Sequence, residues 1–191
     1  MIDKNQLVEI RWHGRGGQGA VTSAELLAKA AIDEDKYAQG FPSFGPERRG
    51  APVLAFDRIS GSPIRIRSEV TEPDVVVVLD SSLLSIVNIS SGLKETGILI
   101  INTRKSFEDI EADFGNKWQL AIIDATKIAR ELLGVPIVNT TMLGTLLRAT
   151  GVVKLESMVK PTEQRFGRLA ERNLEAMRRA FEETTVKEKS N

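Results

Sequence analysis

The chain has 191 residues, 41% of them hydrophobic, and its 26 lysines and arginines balance its 26 aspartates and glutamates. This length predicts one domain with its own core, and the zero net charge argues against a nucleic-acid-binding protein, which normally carries a basic excess. Cysteine is absent, which excludes disulfides and cysteine-ligated zinc or iron–sulfur centres, and the single histidine is His13. No apolar segment has the length of a signal core or a membrane span, so we expect a cytoplasmic protein without membrane contact.

The first part of the chain predicts a strand, a loop and a helix in succession. Residues 7–13 alternate apolar and polar side chains, which is typical of a strand, and residues 20–32 carry apolar side chains at helical spacing. The glycine-rich residues 14–19 connect them. Residues 40–52 are dense in glycine, proline and arginine, and this composition predicts a long loop.

The middle of the chain predicts further strands. Residues 53–59 and 64–67 flank a Ser-Gly-Ser-Pro turn and predict a β-hairpin. Residues 75–79 and 98–101 are continuous apolar runs, typical of parallel strands buried on both faces, and residues 119–123 predict another strand. Because strands alternate with helices, we expect an α/β, Rossmann-like fold with a mostly parallel sheet, flanking helices and an inserted β-hairpin.

Polar residues after the predicted strands mark the starts of helices. Asp80 and Asp124 can each cap the helix that follows them. Asn139 or Thr140 can cap a helix over residues 142–149. These caps place the connecting helices at the carboxyl ends of the strands.

The last part of the chain predicts one long amphipathic helix. From residue 162 to about residue 183, apolar side chains recur on one face and charged side chains occupy the others. The polar residues 184–191 predict a disordered tail. We therefore expect residues 1–191 to form a single domain that ends in this tail.

A glycine-rich loop is the first candidate binding site. It consists of Gly14, Arg15, Gly16, Gly17, Gln18 and Gly19, and it satisfies the pattern G-x-G-x-x-G between a predicted strand and a helix. Glycines let the backbone approach a ligand closely, and the helix N-terminus offers free N–H groups to a phosphate, to which Arg15 adds a charged donor. The alternative is a tight turn packed against another subunit, without a ligand. His13 ends the strand beside the loop, and an internally bonded histidine is the favoured interpretation.

A nicotinamide dinucleotide is a poor match to this loop. That cofactor requires an acidic residue about 20 residues later, after a second strand, to bind its ribose. Asp33, Glu34 and Asp35 lie just past the predicted helix instead. A stand-alone nicotinamide oxidoreductase is therefore the least favoured function.

A second candidate site is the stiff loop at residues 41–52, which carries three prolines. Its candidate binding residues are Phe44, Gly45, Arg48 and Arg49. Adjacent arginines on a rigid loop suit a phosphate or carboxylate, and aromatic side chains can stack on a base. The alternative is a subunit-interface loop in which Glu47 pairs with an arginine, and both interpretations hold if the ligand lies at an interface.

Two long motifs carry a resemblance to a known family. They are Glu-Ile-Arg-Trp-His-Gly-Arg-Gly-Gly-Gln-Gly-Ala-Val at residues 9–21 and Phe-Pro-Ser-Phe-Gly-Pro-Glu-Arg-Arg-Gly-Ala-Pro-Val at residues 41–53. Residues 72–80 and 139–144 fit later parts of the same pattern. Together they resemble the gamma subunit of 2-oxoacid:ferredoxin oxidoreductases, most closely the pyruvate and branched-chain types, over nearly the whole chain.

The resemblance implies an enzyme complex rather than an independent enzyme. Such a complex cleaves a 2-oxoacid with coenzyme A to acyl-CoA and carbon dioxide, and it reduces ferredoxin. The resemblance implies that thiamine diphosphate, Mg²⁺ and [4Fe-4S] clusters lie in the partner alpha, beta and delta subunits, and that this chain holds none of them. It also implies an α/β gamma subunit associated with coenzyme A binding and assembly.

The sequence therefore predicts that the glycine-rich loop and the arginine-containing loop bind coenzyme A, with no catalytic residue in this chain. Replacing Arg48 and Arg49 with Ala should raise the KM for coenzyme A. Two alternatives remain. The complex can act on 2-oxoisovalerate instead of pyruvate, or the chain can be a scaffold that binds no ligand.

Overall fold

The computed structural model describes residues 7–43 and 50–189. The strands within these residues are β1 (Val8–Arg15), β2 (Tyr37–Pro42), β3 (Pro52–Ser60), β4 (Val75–Val78), β5 (Ile98–Asn102), β6 (Gln119–Ile123) and β7 (Thr185–Lys187). They form one sheet in the order β2-β3-β1-β4-β5-β6-β7. Strands β1, β4, β5 and β6 are parallel, whereas β2, β3 and β7 are antiparallel to the neighbours with which they pair.

Helices connect the strands and cover both faces of the sheet. They are α1 (Ala20–Asp33), α2 (Phe107–Phe114), α3 (Ala125–Leu133), α4 (Asn139–Thr150), α5 (Val159–Phe166) and α6 (Ala170–Glu183). Short 3-10 turns lie at Ser81–Ser85, Leu155–Met158 and Gly167–Leu169. None of the helices in the described part of the chain is long and apolar enough to cross a membrane.

The parallel strands are buried on both faces, as their continuous apolar sequences predict. Val75, Val77 and Ile100 pack into the larger core cluster, to which α1, α3, α4 and α6 contribute. Val76 and Leu99 face the smaller cluster under α2. This two-sided burial and the parallel pairing of β1, β4, β5 and β6 confirm the prediction of an α/β sheet with a mostly parallel core, flanked by helices.

The predicted hairpin at residues 53–67 is wrong in its second strand. Residues 64–67 form no strand. Strand β3 has both of its edges occupied, because it lies between β2 and β1, so residues 64–67 find no free edge beside it. The antiparallel pair next to β1 is instead formed by β2 and β3.

Part of the predicted loop at residues 40–52 is also a strand, since β2 includes Gly40 and Pro42. A Cβ on Gly40 would lie 2.7 Å from the carbonyl oxygen of Ala24, so glycine lets α1 pack closely on the strand. Proline is compatible with β2 because this strand is at the edge of the sheet. The glycine- and proline-rich composition of residues 40–52 is typical of a loop, so it indicates neither the strand nor its close packing against α1.

Helix α4 begins earlier than predicted, because Asn139 and Thr140 lie in its first turn rather than at its cap. The hydroxyl of Ser23 donates to the carbonyl oxygen of Asn139 at 3.3 Å. The hydroxyl of Thr140 donates to Oδ1 of Asn173 at 2.9 Å. These bonds join α4 to α1 and to α6, so the polar side chains serve tertiary packing.

The C-terminal part of the chain differs from the prediction in two ways. The single helix expected over residues 162–183 is split into α5 and α6, because Gly167 adopts φ +52° and ends α5. Residues 184–191 were expected to be a disordered tail, but Thr185–Lys187 form β7 on the edge of β6. A short amphipathic helix, α2, was not predicted at all.

Candidate functional site

The glycine-rich loop lies at the carboxyl end of β1, next to Asp80 at the carboxyl end of β4. Strands β2 and β3, which follow β1 in the chain, lie on one side of β1 within the sheet. Strand β4 lies on the other side of β1. The order of the strands therefore reverses between β1 and β4. Ligands of α/β proteins commonly bind at such a reversal, beyond the carboxyl ends of the strands.

Two glycines of the loop adopt backbone conformations that other residues rarely adopt. Gly17 has φ +95° and Gly19, which precedes α1, has φ +85°. A Cβ on Gly19 would lie 2.7 Å from Nδ2 of Asn139, whereas among the described residues no atom lies within 4 Å of the corresponding position at Gly17. Gly19 thus allows α1 and α4 to meet closely, and Gly17 leaves open space beside the backbone.

Hydrogen bonds within the loop fix its shape. The backbone N–H of Arg15 donates to Oε1 of Gln18 at 2.8 Å, and the N–H of Gln18 donates to the carbonyl oxygen of Arg15 at 2.9 Å. The N–H of Gly16 donates to the carbonyl oxygen of Ala51 at 3.0 Å. The loop is therefore held by its own side chain and by the start of β3.

The Arg15 side chain is bound to the protein rather than free in solvent. Its Nε donates to Oδ2 of Asp80 at 3.1 Å, and its two Nη atoms donate to the carbonyl oxygen of Gly50 at 3.0 Å and to Oγ of Ser82 at 2.8 Å. These contacts use three of the five guanidinium N–H groups. Arg15 therefore positions the loop, and two of its N–H groups have no partner among the described residues.

Asp80 has a larger role than the helix cap that the sequence predicts. It does cap the 3-10 turn, because its Oδ1 accepts the N–H of Ser82 at 2.9 Å. Its Oδ2 also accepts Nε2 of Gln18 at 2.8 Å. Burial alone would raise the pKa of Asp80, but hydrogen bonds from Ser82 and Gln18 and the charge of Arg15 hold it below its ordinary value. Asp80 is thus an ionised anchor for the loop.

His13 is internally bonded, which agrees with the favoured interpretation of this residue. Its Nε2 accepts a hydrogen bond from Nε of Arg11 at 3.0 Å, and Arg11 also donates to the carbonyl oxygens of Ile89 and Ser91. Burial, assisted by the charge of Arg11, lowers the pKa of His13 to about 3. The imidazole is therefore neutral at physiological pH.

Helix α1 begins directly after the glycine-rich loop, with Gly19 at its N-cap. No side chain in the described residues caps this helix, and its first turn contains no acidic residue. The first N–H groups of a helix have no intrahelical acceptor and favour an anion. This end of α1, the open space at Gly17 and the charge of Arg15 together suit a phosphate group.

The second candidate loop is only partly within the structure. Its candidate residues Phe44, Gly45, Arg48 and Arg49 all lie outside the described residues. Gly50 and Ala51, which follow them, contact the glycine-rich loop through Arg15 and Gly16. Within residues 7–43 and 50–189, no three metal-ligating side chains cluster together.

Comparison with protein families identifies the chain. The model of the pyruvate ferredoxin/flavodoxin oxidoreductase family matches residues 9–183. The chain belongs to this family. The matched region includes the whole glycine-rich loop, β1 from its second residue, and β2 to β6.

Individual members of the pyruvate ferredoxin/flavodoxin oxidoreductase family match over almost the full length. The pyruvate/ketoisovalerate oxidoreductases common subunit gamma of Pyrococcus furiosus is 55% identical over 182 residues, covering 94% of this chain and 98% of that protein. Pyruvate synthase subunit PorC of Methanothermobacter thermautotrophicus is 52% identical over 178 residues, covering 93% and 96%. The crystal structure of the Thermotoga maritima pyruvate oxidoreductase subunit PORC is 44% identical, with a TM-score of 0.86, covering 96% and 100%. The family predicted from the motifs is confirmed.

Proposed function

We propose that this chain is the gamma subunit of a pyruvate:ferredoxin oxidoreductase. The complex would convert pyruvate and coenzyme A to acetyl-CoA and carbon dioxide, and it would pass the electrons to ferredoxin. The observation that carries this proposal is the 55% identity to a gamma subunit over 94% of the chain. In this proposal the chain is an essential subunit of the enzyme complex. The chain has no activity without its partner subunits.

The role of this subunit in the proposal is to bind coenzyme A through the glycine-rich loop. Two features of the described residues support it: no side chain caps the N-terminus of α1, and the space beside Gly17 is open, which both favour an approaching phosphate. Bound coenzyme A supplies the thiol that accepts the acyl group. The chain's residues orient the ligand, and this raises the effective concentration of the thiol without an acid or base from the subunit. The part played by Arg48 and Arg49 rests on the sequence.

The remaining cofactors belong to the partner subunits in this proposal. The chain has no cysteine, so thiolate ligands for [4Fe-4S] clusters must come from other chains. We assign these clusters, thiamine diphosphate and Mg²⁺ to alpha, beta and delta subunits. The proposed location of the whole complex is the cytoplasm.

Exposed apolar side chains support assembly with partners. Ile32, Tyr37 and Ile66 are 55%, 48% and 44% exposed. Ile32 lines a groove of about 640 Å³ along β2, and the other two adjoin residues that line it. An apolar side chain exposed at a groove favours an interaction surface, so we place a subunit contact at this edge of the sheet.

A 2-oxoisovalerate:ferredoxin oxidoreductase is the second candidate function. The Pyrococcus furiosus relative is named as a subunit common to pyruvate and ketoisovalerate oxidoreductases. A gamma subunit shared in that way would leave the choice of oxoacid to other chains. The present chain would then serve one or both substrates.

A native pull-down through a tag on this chain tests the proposal. The captured complex is assayed for coenzyme A-dependent ferredoxin reduction with pyruvate and with 2-oxoisovalerate. We expect cysteine-rich and thiamine-binding subunits to co-purify with pyruvate activity, and the ratio of rates identifies the preferred oxoacid. A chain captured alone, without 2-oxoacid activity, would refute the assignment. Activity without coenzyme A binding by the gamma subunit would favour the scaffold alternative.

A further inference from the structure

A cavity distinct from the groove along β2 lies beside the glycine-rich loop, at the carboxyl ends of β5 and β6. It has a volume of about 490 Å³. Three cationic side chains line it, namely Arg104 after β5, and Lys127 and Arg130 on α3. Lys127 and Arg130 are one helical turn apart, so they lie on the same face of α3. The three cations therefore converge on one space although they are distant in sequence.

The charge in this cavity is not neutralised by the acidic residues that also line it. Glu131 pairs with Arg179 of α6. Oδ1 of Asp124 accepts the backbone N–H of Lys127 at 2.9 Å and so caps α3. Within the described residues, Arg104, Lys127 and Arg130 form no ion pair. Counted against the three cations, the carboxylates of Asp124 and Glu131 leave the lining of the cavity with a net charge of one positive unit.

The cationic cavity is continuous with the glycine-rich loop. A smaller cavity of about 220 Å³, lined by Gln18 and Asp80, shares Ser81, Asn102 and Thr126 with it. Nδ2 of Asn102 donates to Oγ1 of Thr126 and to the carbonyl oxygen of Leu79, each at 2.9 Å. These bonds fix the polar floor that joins the two cavities.

The two cavities together form a groove. This groove crosses the carboxyl ends of the parallel strands from β1 to β6. Neighbouring strands lie about 4.8 Å apart, so three spacings separate the two ends by about 14 Å. Arg104, Lys127 and Arg130 line the end of this groove at β5 and β6. An elongated ligand with two separated phosphate groups can therefore contact the helix N-terminus at one end and the cations at the other.

We infer that Arg104, Lys127 and Arg130 bind the ribose 3′-phosphate of coenzyme A while the glycine-rich loop binds its pyrophosphate. This inference rests on the proposed function. A terminal phosphate monoester carries close to two negative charges at neutral pH and three acceptor oxygens, which suits several cationic donors. Backbone N–H groups at a helix end suit the less charged pyrophosphate bridge.

The test compares coenzyme A with 3′-dephospho-coenzyme A in the assembled complex. In the wild type, we expect the KM to be about 10–100-fold higher for the dephospho compound, as expected for lost charge-assisted hydrogen bonds. In the variant R104Q/K127Q/R130Q, the KM for coenzyme A should rise and the ratio of the two KM values should approach one. The kcat at saturation should change little, because these residues only bind the ligand.

A matched control removes the same number of charges elsewhere. The variant R165Q/R168Q/R172Q changes three exposed arginines in and between α5 and α6 that line neither cavity. This control variant should keep the wild-type ratio of the two KM values. That result would distinguish a local contact with the phosphate from an effect of the protein's net charge. If the triple cavity variant does not assemble, R104Q alone should lower the ratio by a smaller factor.

Four outcomes would overturn this inference, and they separate it from the proposed function. Equal KM values for the two compounds in the wild type would overturn it, and so would an unchanged ratio in the cavity variants. A complex with 2-oxoacid activity that binds coenzyme A only through other subunits would overturn it while leaving the complex assignment intact. A chain without any 2-oxoacid complex would overturn both.

Discussion

Nε of Arg15, at the end of β1, lies 3.1 Å from Oδ2 of Asp80, at the end of β4. The same carboxylate oxygen accepts Nε2 of Gln18 at 2.8 Å. One acidic side chain thus connects two neighbouring parallel strands with the loop between β1 and α1. Because Arg15 and Asp80 are only 25% and 21% exposed, water screens this pair less than a surface ion pair.

The variant Asp80→Asn tests whether this contact shapes the loop. We expect the free energy of unfolding to fall by about 1–2 kcal/mol, since an amide replaces a charge-assisted acceptor and leaves Arg15 without its counter-ion. The KM for coenzyme A should rise because the loop loses its anchor. Urea unfolding and steady-state kinetics measure the two effects. Ser82→Ala, which keeps the ion pair, is the control and should change both quantities less.

The same residue gives a pH-dependent contribution to stability. Its pKa in the folded protein lies below its ordinary value, so its contribution is fully present above the unfolded-state pKa of about 4 and is lost as the pH falls through the lower folded value. The difference in stability between wild type and Asp80→Asn should therefore shrink below about pH 4. A difference that stays constant from pH 6 to pH 3 would contradict the ionised anchor.

Gly19 and Gly17 allow backbone strain to be separated from steric overlap. Both have positive φ, but only a Cβ on Gly19 would meet Asn139, at 2.7 Å from its Nδ2. Gly17→Ala should cost about 1 kcal/mol from the backbone conformation alone. Gly19→Ala should cost more, because the Asn139 side chain, whose Cβ would lie 3.0 Å away, must also shift. Thermal and urea unfolding of both variants give the comparison, and equal losses would rule out the close approach of α1 and α4.

The sequence predicts the strands of the core and the position of the loop well, because these depend on local patterns. The apolar runs of β4 and β5 allow no other element, and the glycines before α1 mark the turn. The cap at Asp80 is also local. Its bonds to Arg15 and Gln18 join residues more than 60 positions apart, and no local pattern contains them.

The wrong predictions also arise from contacts between segments that are distant in sequence. Residues 64–67 have the alternation of a strand, but the topology leaves no edge of β3 for them. Gly40 and Pro42 suggest a loop, yet they are suited to a strand that packs under α1 at the edge of the sheet. The sequence does not predict the cationic cavity either, because Arg104 and Arg130 line the same cavity only once β5 and β6 pair.

The single histidine of the chain gives a direct spectroscopic test of its environment. Since the pKa of His13 is lowered to about 3, its NMR ring signals should not titrate between pH 5 and pH 8. The unfolded-state pKa is about 6.5, so stability should decrease as the pH falls from 6.5 toward 3. His13→Gln keeps an acceptor for Arg11 and should remove this part of the slope. A midpoint near pH 6.5 would show that the imidazole is solvated.

Asp57 on β3 is a buried carboxyl group whose ionisation opposes folding. It has no solvent exposure, Oδ2 accepts Nε1 of Trp12 at 2.7 Å, and Oδ1 has no partner in the described residues. Burial raises the pKa of Asp57 well above its ordinary value, although the bond from Trp12 acts in the opposite direction. The group therefore stabilises the fold most below the unfolded-state pKa of about 4, and this contribution is lost as the pH rises toward the folded value.

The variant Asp57→Asn should consequently be more stable than the wild type at pH 7, by about 1–3 kcal/mol. Its amide oxygen can still accept the N–H of Trp12, and it has no charge to bury. The advantage should diminish as the pH falls toward 4, because the carboxyl group is protonated in the folded wild type and becomes increasingly protonated in the unfolded state. Urea unfolding followed by tryptophan fluorescence at pH 7 and pH 4.5 measures the change. A variant that is less stable than the wild type at both values would show that the carboxylate is ionised and satisfied in the core.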